Sequence, residues 1–243
     1  MSNVIDFAHR RYTPTFPKSL SHPAGVEFFL GNPSDADLII PEIRIAVCDG
    51  TYDSNLIRRL PDVVRAGDQV LVIGAGLGVI STLVAKTKGV SRVIAVEPNI
   101  TLIPHLDQVH ELNDVPWVES INAVLGHDLR GRVPFFARRD IRTSSLTPHD
   151  SPWERAMMVP RMDLDLILTE EKISLIICEA PIASAQLLKC VKHGSVERIL
   201  VSNGDGVSGH WREATATHLV ANLDQKLVSP IISNRNTIVS APA

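Results

Sequence analysis

Val70-Leu71-Val72-Ile73-Gly74-Ala75-Gly76-Leu77-Gly78 decides the fold. Its first four residues are apolar without alternation, three of them β-branched, which reads as a short strand buried on both faces. Glycines stand at 74, 76 and 78, and an apolar segment from Val79 to about Lys88 then reads as a helix. A glycine loop between strand and helix is the context of a ligand site. Glycine lets the backbone turn sharply and approach a ligand closely, and the helix start offers free N–H groups. The spacing also discriminates. A dinucleotide fingerprint, G-x-G-x-x-G/A, needs a small residue at position 79. Val79 stands there and the third glycine is Gly78, which argues against NAD and FAD.

Outward from this stretch the pattern repeats. Strands are expected at Arg92–Val96, Val118–Val124, Ser174–Cys178 and Arg198–Ser202, with helices near Thr101–Leu112, Ala183–Lys192 and Arg212–Leu223. Lys226–Ile232 and Thr237–Ser240 would close the sheet as an antiparallel edge. Alternating strands and helices imply a doubly wound α/β fold, a seven-stranded, mostly parallel sheet with helices on both faces. A polar insertion over 126–160 is expected to hold a hairpin around Val133–Ala137, followed by a short helix at Met162–Glu170. Upstream, Ser54–Val64 reads as a helix broken or kinked at Pro61. Residues 1–50 carry prolines at 14, 17, 23, 33 and 41 and show no clean period. They read as an N-terminal arm with one short strand at Ile43–Val47, attached to an α/β domain over 51–243. Such an arm lies on the body or on a second copy of the chain, which would make a homo-oligomer.

Composition narrows the function. A chain of 243 residues is long enough for a full core without disulfide or metal. Hydrophobic residues at 44% and charged residues at 21% exclude a disordered or collagen-like chain. The net charge of −3 gives no basic field for nucleic acid. Cys48, Cys178 and Cys190 form no CxxC pair, and His110-Glu111 does not continue to a zinc-helix motif. No apolar run suggests a signal peptide or a membrane span. A cytoplasmic protein acting on a small molecule, with no nucleic-acid or membrane partner, is the expectation.

The site candidates sit at strand ends, where open α/β sheets bind ligands. Glu97, in Ala95-Val96-Glu97-Pro98-Asn99, ends the second strand, and a carboxylate there can accept both hydroxyls of a ribose. Asn122, in Ile121-Asn122-Ala123-Val124, either touches the edge of an adenine ring or caps its own turn. Together with Ala66-Gly67-Asp68-Gln69-Val70, Asn113, Thr143-Ser144-Ser145-Leu146 and Met162–Leu168, these motifs resemble a class I S-adenosylmethionine-dependent methyltransferase, and more narrowly the FkbM family, over residues 50–190. The resemblance implies S-adenosylmethionine as cofactor, held by Gly74, Ala75, Gly76, Gly78, Glu97, Pro98, Asn122 and Ala123. It also implies O-methylation of a small or sugar-like acceptor.

Two positions depart from that pattern. The class usually places an acidic residue two before the first glycine, to hold the cofactor's ammonium; here it is Val72. Val72 points either at the site or into the sheet. After the fourth strand the family's Asp-x-Glu-Gly-type motif is reduced to Glu179 in Ile177-Cys178-Glu179-Ala180-Pro181. Glu179 and His210 are the candidate general bases, Glu179 first; alternatively Glu179 only favours a helix N-terminus. Arg130, Arg132, Arg138, Arg139 and Arg142 of the insertion form either a solvated surface or an anion patch. The competing reading of the whole chain is a catalytically degenerate binding protein on the same fold.

Overall fold

The computed structural model describes residues 19–29, 39–126, 131–148, 152–179 and 196–202, and the backbone of 236–240. Its first element is a hairpin, β1 (Ser19–His22) and β2 (Val26–Phe29), paired antiparallel. Leu20, Val26 and Phe28 alternate inward, as half-buried strands require. The segment expected as a strand at Ile43–Val47 is instead part of a helix, α1 (Pro41–Asp49). Pro41 opens it, Ile43 and Val47 bury one face at a spacing of four, and left-handed Gly50 closes it. The four-residue recurrence is helical, and it outweighs the strand expected of this proline-flanked segment. Ile39, Ile43 and Val47 pack with the hairpin onto Tyr52, Leu77, Val79, Leu102 and Val109, so this part of the chain belongs to the body's core.

The helix expected over Ser54–Val64 is two single turns, α2 (Ser54–Ile57) and α3 (Leu60–Val63), with Pro61 in the first turn of the second. Then come β3 (Gln69–Ile73), α4 (Val79–Lys86), β4 (Arg92–Val96), a 3-10 turn at Ile100–Leu102, and α5 (Ile103–Leu112). The strand expected at Val118–Val124 divides. β5 (Glu119–Ile121) stays in the main sheet, while β6 (Val124–Gly126) joins a second sheet with β7 (Arg132–Ala137) and β8 (Arg155–Asp163). β7 and β8 pair antiparallel, joined through a 3-10 turn at Ile141–Thr143. α6 (Leu164–Glu170), β9 (Leu175–Cys178), β10 (Arg198–Ser202) and β11 (Asn236–Ser240) complete the described elements. The expected helices at Ala183–Lys192 and Arg212–Leu223 and the strand at Lys226–Ile232 lie outside the described residues.

The main sheet has the order β11-β10-β9-β3-β4-β5, parallel throughout except for the β10–β11 edge. This is the expected doubly wound α/β architecture, with six strands described. Its two faces are covered separately. Leu71, Ile73, Ile94 and Val96 pack with Leu164 and Leu168 on one side. Val70, Val72, Val93 and Ala95 pack with Ile80, Val84 and Leu106 on the other. At the amino ends of the strands, Arg198 Nη2 and Asp68 Oδ1 meet at 2.5 Å with both side chains 4% exposed. Arg198 Nη1 also donates to the Val63 carbonyl and Ser174 Oγ to Asp68, so this pair ties β3, β9 and β10 together.

Strand register places the site. Ile73 lies opposite Val96 and Cys178, and Val96 opposite Ile121. The next residue of each strand therefore stands in one row at the carboxyl edge of the sheet: Gly74, Glu97, Asn122 and Glu179.

Candidate functional site

The loop after β3 is tied to β4 through its backbone. The Gly74 and Ala75 N–H groups donate to the Val96 carbonyl at 2.8 and 3.1 Å. Gly76 has φ +53°, and its N–H donates to Glu97 Oε2 at 2.9 Å. A Cβ at Gly76 would stand 3.1 Å from the Tyr52 hydroxyl. At Gly78, φ is +84°, a conformation that favours glycine, and a Cβ would fall 2.9 Å from Leu106 Cδ2 on α5. Val79 and Ile80, at the start of α4, are fully buried.

Glu97 is 5% exposed, and its second oxygen accepts the Asn99 N–H at 2.8 Å. Burial pushes its carboxyl from the ordinary 4.5 up to about 7, although the Asn99 and Gly76 N–H groups pull the other way. An ionised carboxylate offers about four acceptor positions; two are taken here, which leaves capacity for a pair of hydroxyls. Asn122 donates from Nδ2 to the Glu97 and Pro98 carbonyls, both at 2.9 Å. Its amide nitrogen thus ties the turn after β4 to the end of β5, where the chain leaves the main sheet towards β6. Pro98 is half-buried beside it, while Ala123 is buried in the core with Leu71 and Val96. Val72 is fully buried between Val70, Ala95, Ile80 and Ile177, so it points into the sheet face and not at the loop.

Glu179 continues β9, and its N–H donates to the Ile73 carbonyl at 2.9 Å. Its side chain is hydrogen-bonded to Asp53, a residue the sequence reading passed over. Asp53 holds a left-handed φ of +54° before α2. Burial raises the Asp53 carboxyl to about 7, opposed by the Glu179 hydrogen bond and the Arg142 charge. Burial, with the charges of Asp53 and Glu97, raises Glu179 well above the usual carboxylate range. Two carboxyls in hydrogen-bond contact share a proton, and here Glu179 carries it toward the Asp53 carboxylate.

Tyr52, also missed, is 5% exposed and hydrogen-bonded to the Leu77 backbone; burial raises its hydroxyl well above 10, as do the three carboxylates near it. Tyr52 and Asp53 come from a segment with no local motif. Only the packing of α1 and α2 against the loop reveals them. Of the insertion arginines, Arg142 feels the charges of Tyr52 and Asp53, but its guanidinium is forked onto Asp140 at 2.9 and 2.6 Å. Arg138 is buried and donates to Ser145 Oγ and to the Thr143 and Thr147 carbonyls, a structural use. His210 and Arg130 lie outside the described residues. No group of His, Cys, Asp and Glu among the described residues could hold a metal ion, and no described helix is long and apolar enough to cross a membrane.

No family model and no curated protein matches this sequence. Solved structures resemble it at low identity. A ribosomal protein L11 methylase from Lactobacillus delbrueckii subsp. bulgaricus is 11% identical, with 79% of this chain and 77% of that one covered at a TM-score of 0.47. Magnesium protoporphyrin IX methyltransferase from Synechocystis PCC 6803, solved with bound SAM, is 15% identical over 86% and 82% at 0.43. Aeropyrum pernix fibrillarin, in complex with S-adenosyl-L-methionine, is 10% identical over 78% and 73% at 0.40.

Proposed function

We propose that the chain binds S-adenosylmethionine at the carboxyl edge of its sheet and transfers the methyl group to a hydroxyl of a small or sugar-like acceptor. The observation that carries this reading is the Glu97–Gly76 hydrogen bond. It joins a buried carboxylate at the end of β4 to a left-handed glycine, whose missing Cβ lets the Tyr52 hydroxyl stand close to the loop. A ribose with free hydroxyls suits the former, and close approach of a ligand to backbone suits the latter. When bound, the sulfonium supplies an already activated methyl group. The protein's task is then to orient the acceptor in line and exclude water.

Glu97, with Gly74, Ala75, Gly76 and Gly78, would hold the nucleoside, and Asn122 and Pro98 would shape the rim. Glu179 suits the role of resting general base poorly, because it already holds the proton it shares with Asp53. A base for the acceptor hydroxyl would then be reached only after that proton leaves. The O-linked acceptor rests on the FkbM resemblance.

The burial of Val72 supports the second reading, a binding protein without turnover, since no carboxylate stands where the methyltransferase class places one. Calorimetric titration with S-adenosylmethionine, S-adenosylhomocysteine and NAD, side by side, tests the proposal. Heat from the first two and none from NAD is expected, and binding of NAD alone would overturn it. Methyl transfer to any hydroxyl acceptor separates the enzyme from the binding protein.

A further inference from the structure

The two ends of the glycine loop are held differently. At its start the Gly74 and Ala75 N–H groups donate to the Val96 carbonyl, and the Gly76 N–H to Glu97 Oε2, all at the end of β4. At its far end the Gly78 N–H turns back onto the Ala75 carbonyl at 2.8 Å, and the Gly78 carbonyl, which opens α4, accepts the Thr82 N–H at 3.0 Å. The same carbonyl accepts the Ser81 hydroxyl at 3.2 Å, and behind Ser81 stands His110 of α5, its Nε2 2.9 Å from Ser81 Oγ. A Cβ at Gly78 would lie 3.6 Å from that nitrogen, so the ring packs against the loop itself. Ser81 is fully buried and His110 is 1% exposed.

Bond counting fixes the direction of this chain. Ser81 has a single hydroxyl proton. If it goes to the Gly78 carbonyl, His110 donates from Nε2 and keeps a bare lone pair on Nδ1. If it goes to Nε2, the carbonyl loses its second donor. The ring proton then sits on Nδ1, which is shut off from solvent and has no hydrogen-bond partner among the described residues. Proteins tolerate an unmet buried acceptor better than an orphaned N–H. The Nε2–H form therefore completes a relay, from His110 to Ser81 to the Gly78 carbonyl. Burial pushes His110 down to about 4 despite the charge of Asp107, and the neighbouring His105 adds to the push, so the ring is neutral at pH 7.

We propose that His110 is a positioning residue for the glycine loop: its Nε2–H, acting through Ser81, fixes the Gly78 carbonyl and with it the left-handed turn that meets the ligand. The proposal rests on the reading that this loop binds S-adenosylmethionine, and adds how α5 holds the end of the loop that β4 does not reach.

Affinity of the full chain for S-adenosylhomocysteine, measured by calorimetry well below the melting temperature, tests it. A residue that only stabilises the fold lowers the melting temperature and leaves the affinity of the folded protein unchanged. His110→Leu and Ser81→Ala should each weaken binding about 3- to 10-fold, the worth of one neutral hydrogen bond. The double variant should lose no more than either single one, because both break the same relay. His110→Gln, which places an N–H where Nε2 stands, should stay within about 2-fold of wild type, as a kept hydrogen bond requires. Nitrogen NMR of the wild-type imidazole needs no variant and should show His110 protonated on Nε2 at pH 7.

A proton on Nδ1, unchanged affinity in both single variants, additive losses in the double variant, or a His110→Gln protein no better than His110→Leu overturns the positioning role and leaves the cofactor reading standing. A wild type that binds no S-adenosylhomocysteine overturns the cofactor reading, and the proposal with it.

Discussion

Glu97→Gln separates a buried charge from an ordinary surface carboxylate. Burial holds the Glu97 carboxyl at about 7 in the fold against 4.5 in the unfolded chain. The folded protein therefore binds the proton more tightly. Its proton-linked stability is fully present below pH 4.5 and is lost as pH rises through about 7. At about 1.4 kcal/mol per pH unit, the loss between pH 5 and pH 8 is about 2.5 kcal/mol. Glutamine cannot ionise, so the variant escapes that loss. It does face one of the two N–H groups, from Gly76 or Asn99, with an amide NH2 and leaves it unpaired, which costs about 1–3 kcal/mol at either pH.

The variant is thus expected to be less stable than wild type at pH 5 and to recover about 2.5 kcal/mol relative to it at pH 8. For a chain of this size that recovery is about 5–10 °C in melting temperature. Asp53, raised in the same direction, and His110, pushed down to about 4 by burial, also tilt the wild-type profile. Only the difference between the two proteins isolates Glu97. Thermal melts at the two pH values give the answer. Parallel wild-type and variant profiles would refute the claim that this carboxylate is buried and charge-penalised.

Gly76→Val places a β-branched side chain at φ +53° and 3.1 Å from the Tyr52 hydroxyl. It should abolish binding of S-adenosylhomocysteine by calorimetry while circular dichroism stays native, and wild-type affinity would make the loop a plain turn. Val72→Asp buries an unpaired carboxylate among Val70, Ala95 and Ile177 and should cost several kcal/mol, on the order of 3 or more, in urea unfolding. A stable variant would mean that position 72 reaches the site after all. Arg198→Met strands Asp68 without its cation and should cost about 3–5 kcal/mol; adding Asp68→Asn should recover part of it. A single variant as stable as wild type would show that the pair contributes nothing.

The local pattern of residues 66–126 was enough to read β3, the glycine loop, α4, β4 and the parallel sheet they imply. A doubly buried strand, a glycine run and an amphipathic helix are each encoded within a few neighbouring residues. Parallel register then carries Gly74, Glu97, Asn122 and Glu179 to one edge almost automatically, so these too were legible. The helix at Pro41–Asp49 is not legible in the sequence because a short, proline-flanked segment carries only about two turns of periodicity. The division of Val118–Val124 depends on the Asn122 amide reaching back to the Glu97 and Pro98 carbonyls, a contact across 24 and 25 residues. Tyr52, Asp53 and the neutralisation of Arg142 by Asp140 were likewise beyond local pattern. Asp53 meets Glu179 only because the chain entering α2 packs against β10 and α4, and what that meeting does to both carboxyls is a property of burial and proximity, which no window of sequence contains.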